Sequence, residues 1–201
     1  MIRKALIHTF GCALTLLLST TQLQAQETLI FMRHGEKPTS ESGQLTCKGL
    51  NRALALPDVL ISRFGQPDAL FSVGPKEKKP GYSIRPLSTM MPTAVRLNMP
   101  INIQYHQDEI EALEKQLLDD KYRNARIYIV WEHKYLDKMV KHLMKDLGSD
   151  QQVPKWQGSD FDTLFIVTVD DKGNGKTGKL QISSENLNKV PETCPQPLTI
   201  H

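Results

Sequence analysis

Two short apolar runs, Thr28-Leu29-Ile30-Phe31-Met32 and Ile127-Tyr128-Ile129-Val130-Trp131, each break off into polar residues that include a histidine. The first leads into Arg33-His34-Gly35-Glu36 and the second into Glu132-His133. Uninterrupted apolar runs of this length fit strands buried on both faces. Between them lie longer amphipathic segments that read as helices: about Thr46 to Phe64, Pro86 to Leu97, Asp108 to Leu118 and Lys134 to Leu147. Thr46 is placed to cap the first helix, with Leu50, Ala53, Leu54, Leu60 and Ile61 as its apolar stripe. Pro57 should kink or split that helix, and Pro92 should interrupt the second. Ala69 to Val73, Ile101 to Ile103 and Asp162 to Val169 read as further strands, and Gly74 to Gly81 as a basic loop. A turn at Asp170 to Gly175 leads to a last strand at Lys179 to Ser183. The alternation specifies an α/β fold: a mostly parallel sheet covered on both faces, with a late antiparallel hairpin. Ligands in such folds bind at the carboxyl ends of the strands, which is where both histidines fall.

The first 25 residues stand apart. Arg3 and Lys4 precede an apolar run from Ala5 to Leu18, and a polar stretch then leads to Leu23-Gln24-Ala25. This is the layout of a cleaved secretory signal peptide, with residues 26–201 as a single domain and a periplasmic or secreted destination. A membrane anchor fits less well because the run is short, so no stable membrane insertion is expected after cleavage. A lipoprotein cut before Cys12 is the weaker alternative. Without Arg3 and Lys4 the basic count falls from 25 to 23 against 22 acids, with no clustering that would mark a nucleic-acid binder. Cys47 and Cys194 remain as an even pair in an oxidising compartment, inviting a disulfide between first helix and tail; the alternative is two unrelated thiols. No cysteine or histidine spacing suggests a metal site, and no cofactor is implied.

An arginine beside a histidine suits phosphate chemistry. The guanidinium of Arg33 can neutralise and orient phosphoryl oxygens, and a neutral His34 imidazole can attack phosphorus. Gly35 would permit close backbone approach to the anion. Ser83-Ile84-Arg85-Pro86 puts a second guanidinium at a helix N-terminus, a natural anion site, and His133 would converge with His34. Each residue also has an ordinary reading: a satisfied strand-end histidine, a solvated charge, a helix cap. Lys76, Lys78 and Lys79 read either as a solvated loop or as a patch that draws a polyanion toward the site. His106, His142 and His201 carry no motif, and Trp131 and Trp156 read as packing residues.

Together these pieces resemble the histidine phosphatase superfamily, named for an Arg-His-Gly motif after its first strand. The resemblance rests on Phe31-Met32-Arg33-His34-Gly35-Glu36-Lys37-Pro38, Gly43-Gln44-Leu45-Thr46-Cys47-Lys48-Gly49, Ser83-Ile84-Arg85-Pro86 with Thr93-Ala94, and Trp131-Glu132-His133. It implies a three-layer α/β/α sandwich and a transient phosphohistidine on His34. It also implies a phosphate pocket of Arg33, Arg85 and His133 that needs no metal. The larger branch of the superfamily carries a His-Asp pair whose acid protonates the leaving group, whereas here Lys134 follows His133. Glu132 is the first candidate for that proton, Glu36 the second, and the cluster of Asp108, Glu109 and Glu111 the third. The expected substrate is a phosphorylated small molecule or phosphoprotein. The alternatives are a phosphohistidine or phosphoprotein phosphatase, favoured if no donor exists, and a phosphate-binding module without turnover.

Overall fold

In the computed structural model, which describes residues 26–79, 81–171 and 175–196, six strands form one sheet in the order β5-β2-β6-β1-β7-β8. Along the chain the elements are β1 (Glu27–Arg33), α1 (Cys47–Phe64), β2 (Ala69–Ser72), β3 (Lys76–Lys78), β4 (Gly81–Ser83), α2 (Arg85–Leu97), β5 (Ile101–Asn102), α3 (Ile110–Leu117), β6 (Arg126–Trp131), α4 (His133–Asp146), β7 (Thr163–Asp171) and β8 (Lys176–Ser184). Strands β5, β2, β6 and β1 are parallel; β7 runs antiparallel to β1, and β8 antiparallel to β7. The proposed leader, residues 1–25, residues 172–174 of the turn expected at Asp170 to Gly175, and His201 lie outside the described residues. Among the described residues no helix is long and apolar enough to cross a membrane.

Side-chain alternation along the two central strands builds two cores. Leu29, Phe31, Ile127, Ile129 and Trp131 face α3 and α4, while Ile30, Met32, Tyr128 and Val130 face α1 and α2; all nine are fully buried. Burial on both faces is why these strands read as continuous apolar runs. Each such side chain contributes about 1.5–3 kcal/mol on leaving water. The result is the expected three-layer sandwich.

Several local expectations are corrected. Pro57 does not split α1, and Pro92 does not interrupt α2. A proline removes one i→i−4 bond, at a cost of about 3 kcal/mol, and the packing of α1 and α2 on each other and on the sheet outweighs it. The buried face of α1 is Gly49, Arg52, Ala53, Leu56, Pro57 and Leu60, whereas Leu50 and Leu54 are exposed. The stripe is rotated because a charged residue, Arg52, faces inward. The basic loop contains the β3–β4 hairpin, whose Lys-Glu-Lys and Gly-Tyr-Ser strands show no hydrophobic alternation to mark them. Thr46 does cap α1, its hydroxyl accepting from Gly49 N–H at 3.1 Å.

Cys47 and Cys194 are disulfide-bonded with their Cα atoms 4.4 Å apart, which resolves the two sequence readings in favour of the bridge. The tail is further held by Asn51 Nδ2, which donates to the carbonyls of Pro191 and Thr193 at 2.8 and 2.7 Å.

Candidate active site

The register of the two central strands assembles the site. Arg33 on β1 lies opposite Trp131 on β6, and the ladder continues with His34 N–H donating to Trp131 C=O at 3.2 Å. His34 therefore emerges beside Glu132 and His133, at neighbouring carboxyl ends. Helix α2 delivers Arg85 to the same place. His34, Arg85, Glu132 and His133 line one cavity of about 430 Å³, with Gln107 and Ser83 among its walls. Helices α2 and α4 both begin at this cavity, and neither has a side-chain cap or an acid in its first turn. Their free N–H groups and positive dipole ends favour an anion there.

His34 is 2% exposed. Its Nδ1 lies 2.7 Å from the Gly35 carbonyl oxygen. That oxygen can only accept, so Nδ1 carries the hydrogen and Nε2 keeps its lone pair. Burial, followed by the charges of Arg33, Arg85 and His133, lowers the His34 pKa to about 3. The ring is therefore neutral and nucleophilic at ordinary pH. His133 is lowered to about 4 by burial and then by Arg33 and Lys134. A dianion bound between these groups would raise both values.

Arg33 is 1% exposed and is gripped from one side. Its Nη1 donates to the carbonyls of Gly158 and Asp160, both at 2.8 Å, and more distantly to Gln157 at 3.5 Å. The guanidinium also stacks 3.8 Å from the centroid of Phe161. Its Nε and Nη2, with Nε of Arg85 and the hydroxyl of Ser83, are buried without hydrogen-bond partners among the described residues. Buried donors are rarely left unpaired; Ser83 and Arg85 line the cavity of His34, whereas Arg33 is not among its lining residues and acts on the His34 ring through its charge. An Arg33 anchored through Nη1, with Nε and Nη2 unpaired among the described residues, has the donors that a phosphoryl oxyanion needs. Burial lowers even its pKa, to about 10, against the pull of Asp160.

The other assigned residues divide. Gly35 has its N–H and the side on which a Cβ would stand taken up by protein contacts. Its N–H donates to Thr89 Oγ1 at 2.9 Å, and a Cβ there would lie 2.8 Å from the Gly49 carbonyl oxygen. It is glycine because α1 packs directly against it. Glu36 has both carboxylate oxygens engaged by Arg52, Oε1 accepting from Nη2 at 2.9 Å and Oε2 from Nε at 3.0 Å. It is therefore removed as a proton donor. Asp108, Glu109 and Glu111 line a separate hollow with Lys138 and His142, and Glu109 accepts from His106 N–H at 2.7 Å. They too are removed. Of the three donor candidates only Glu132 lines the cavity. The Gln107 carboxamide, in the orientation that satisfies both its ends, donates to the two Glu132 oxygens at 3.2 and 3.1 Å and accepts from Lys76 Nζ at 2.7 Å.

Thr89, Gln107, Phe161 and the Gln157–Asp160 carbonyls carried no motif. Thr89 was the one with a signal: it sits four residues after Arg85, on the same helix face, and its hydroxyl donates to Arg85 C=O at 2.9 Å. It thereby ties the start of α2 to Gly35. Among the described residues no group of three or more His, Cys, Asp or Glu is placed to hold a metal ion.

No protein-family model matches the sequence, and no curated protein does. Solved structures do. A protein assigned as phosphohistidine phosphatase SixA from Nakamurella multipartitia superposes with a TM-score of 0.54 at 13% identity, over 79% of this chain and 95% of that one. A mycobacterial glucosyl-3-phosphoglycerate phosphatase gives 0.55 at 12% identity, over 78% and 97%. A second protein assigned as SixA, from Agrobacterium tumefaciens, gives 0.51 at 14%, over 78% and 97%. This chain thus has the phosphoglycerate mutase-like fold of the histidine phosphatases.

Proposed function

We propose that the chain is a phosphohydrolase, exported and metal-independent, that works through a phosphohistidine on His34. The observation that carries the reading is the state of that ring: Nδ1–H is committed to the Gly35 carbonyl, so a neutral Nε2 is left among cations. The phosphoryl group would lie between the open edge of Arg33, Arg85, His133 and the two helix N-termini. His34 Nε2 attacks phosphorus as the bond to the leaving oxygen breaks, and Glu132 gives its proton to that oxygen. Water then attacks the phosphohistidine, returning a proton to Glu132 and releasing phosphate and His34. The fixed donors stabilise charge on the three phosphoryl oxygens in both steps without reorganising. Export is supported by the layout of residues 1–25 and by the disulfide, since such bridges persist in oxidising compartments.

Phosphate release from aryl, acyl and alkyl phosphates by residues 26–201, beside His34→Ala, tests the reading. Turnover that disappears with His34, and acid-labile phosphate trapped on that residue, are expected. Equal turnover by His34→Ala would sink the mechanism. A phosphohistidine or phosphoprotein phosphatase is the second reading, favoured by Lys134 standing where a His-Asp pair would place its acid. It predicts turnover of phosphohistidine peptides with little of small alkyl phosphates, and efficient turnover of small alkyl phosphates dependent on Glu132 would exclude it.

A further inference from the structure

The mouth of the cavity carries more positive charge than one phosphoryl group can use. Three separate segments bring lysines to it: Lys37 three residues after His34, Lys134 directly after His133, and Lys76 with Lys78 on the β3–β4 hairpin. The hairpin register sets Lys76 opposite Ser83 and Lys78 opposite Gly81. One face of this ribbon thus presents two ammonium groups and the buried, unpartnered Ser83 hydroxyl. With Arg85, five cations line the cavity against two carboxylates, Glu77 and Glu132. Lys78 has an exposed partner in Glu41 at 3.1 Å, and among the described residues Lys76 is held by the neutral Gln107 carboxamide alone. Neither Lys37 nor Lys134 has an ion-pair partner among the described residues.

We propose that the substrate carries a second phosphate group, bound by Lys76, Lys78 and Ser83 with Lys37 and Lys134 at the rim. This rests on the reading of His34 as the nucleophile. A first phosphoryl dianion is neutralised by Arg33 and Arg85, leaving four lysines facing Glu77 and Glu41, with Glu132 carrying the proton that it donates. A second dianion, of charge about −1.5 to −2, balances them. A small molecule is favoured over a macromolecule because about 430 Å³ falls within the usual range for small-ligand sites, about 300–1,000 Å³. Part of the recognition is long-range attraction, so it weakens once salt shortens the screening length below about 8 Å.

Alkane-α,ω-bisphosphonates of three to six carbons, compared with ethylphosphonate, test this by calorimetric titration of residues 26–201, because they bind without turnover. The best bisphosphonate is expected to bind about tenfold more tightly than the monophosphonate, an advantage that shrinks at high salt. Lys76→Gln combined with Lys78→Gln should cut it to about twofold. Equal affinity across the series, or an advantage that survives the double substitution, would overturn the second site. Long-chain polyphosphate binding far more tightly than every bisphosphonate would overturn the small-molecule assignment. The same titration with His34→Ala separates this proposal from the one beneath it. A bisphosphonate preference beside unchanged phosphate release in that variant would leave the second site standing and remove the nucleophile.

Discussion

Replacing Arg33 by lysine tests the clamp, because charge is kept and only geometry is lost. In the proposed mechanism Arg33 has two jobs with different atoms: Nη1 holds the Gln157, Gly158 and Asp160 carbonyls, while Nε and Nη2, unpaired among the described residues, bind the phosphoryl group. A lysine ammonium has three donors at one point and cannot face both ways. If it settles among the carbonyls, the transition state loses a two-pronged contact. Loss of one preorganised oxyanion donor costs about 2.7–4 kcal/mol, or roughly 10²–10³ in kcat. Stability should change by no more than about 1–2 kcal/mol, since the nearer carbonyls keep a donor. Arg33→Met strands them and should cost a few kcal/mol more. Steady-state kinetics on an aryl phosphate, paired with denaturant unfolding of both variants, separates the two roles. A folded Arg33→Lys enzyme within threefold of the parent kcat would refute the division of labour.

Other expectations follow from single groups. Arg52→Met leaves Glu36, Asp162 and Glu185 without the cation they surround, and should destabilise by about 3–5 kcal/mol in denaturant unfolding; a loss below 1 kcal/mol would contradict the network. The His34 ring should show the Nδ1–H neutral tautomer by NMR down to about pH 4, and titration near 6.5 would contradict the burial argument. Glu114 on α3 is 5% exposed, and its pKa is raised from 4.5 to about 8 by burial, then by Asp146 and Glu111. Below pH 4.5 the group is protonated in folded and unfolded chains alike. Between pH 4.5 and 8 the unfolded chain ionises it while the folded chain keeps the proton, so stability falls across that window by roughly 5 kcal/mol and levels off above it. Glu114→Gln should flatten the fall, and identical pH profiles for the two proteins would refute it.

How much of this was legible depends on where the partners of each residue lie. Strands β1 and β6 announced themselves because both faces are buried, and their adjacency aligned His34 with His133. Arg85 was found because helix N-termini and guanidinium groups share a preference for anions. Arg52 was missed, and with it the true face of α1, because its carboxylates come from 16, 110 and 133 residues away. The cradle of Arg33 is built from carbonyls 124 to 127 residues distant, which no side-chain pattern records. Gly35 was read as an opening toward ligand, whereas its missing side chain makes room for Gly49. Glu36 and the Asp108–Glu111 cluster stood near the motif in sequence, and folding turned them elsewhere.

The Cys47–Cys194 bond makes a closed loop of the chain that contains every helix and every strand but one. The exception is β1, which lies outside the ring yet is inserted at the middle of the sheet, between β6 and β7. A single cut anywhere within the ring releases nothing, because both new ends stay tethered through sulfur. A cut between Glu36 and Thr46 is different in kind: it frees a short peptide bearing Arg33 and His34 from an otherwise complete, covalently closed scaffold. The molecule is thus divided by its own connectivity into a strand that carries Arg33 and His34 and a ring that carries nearly everything that holds them in place.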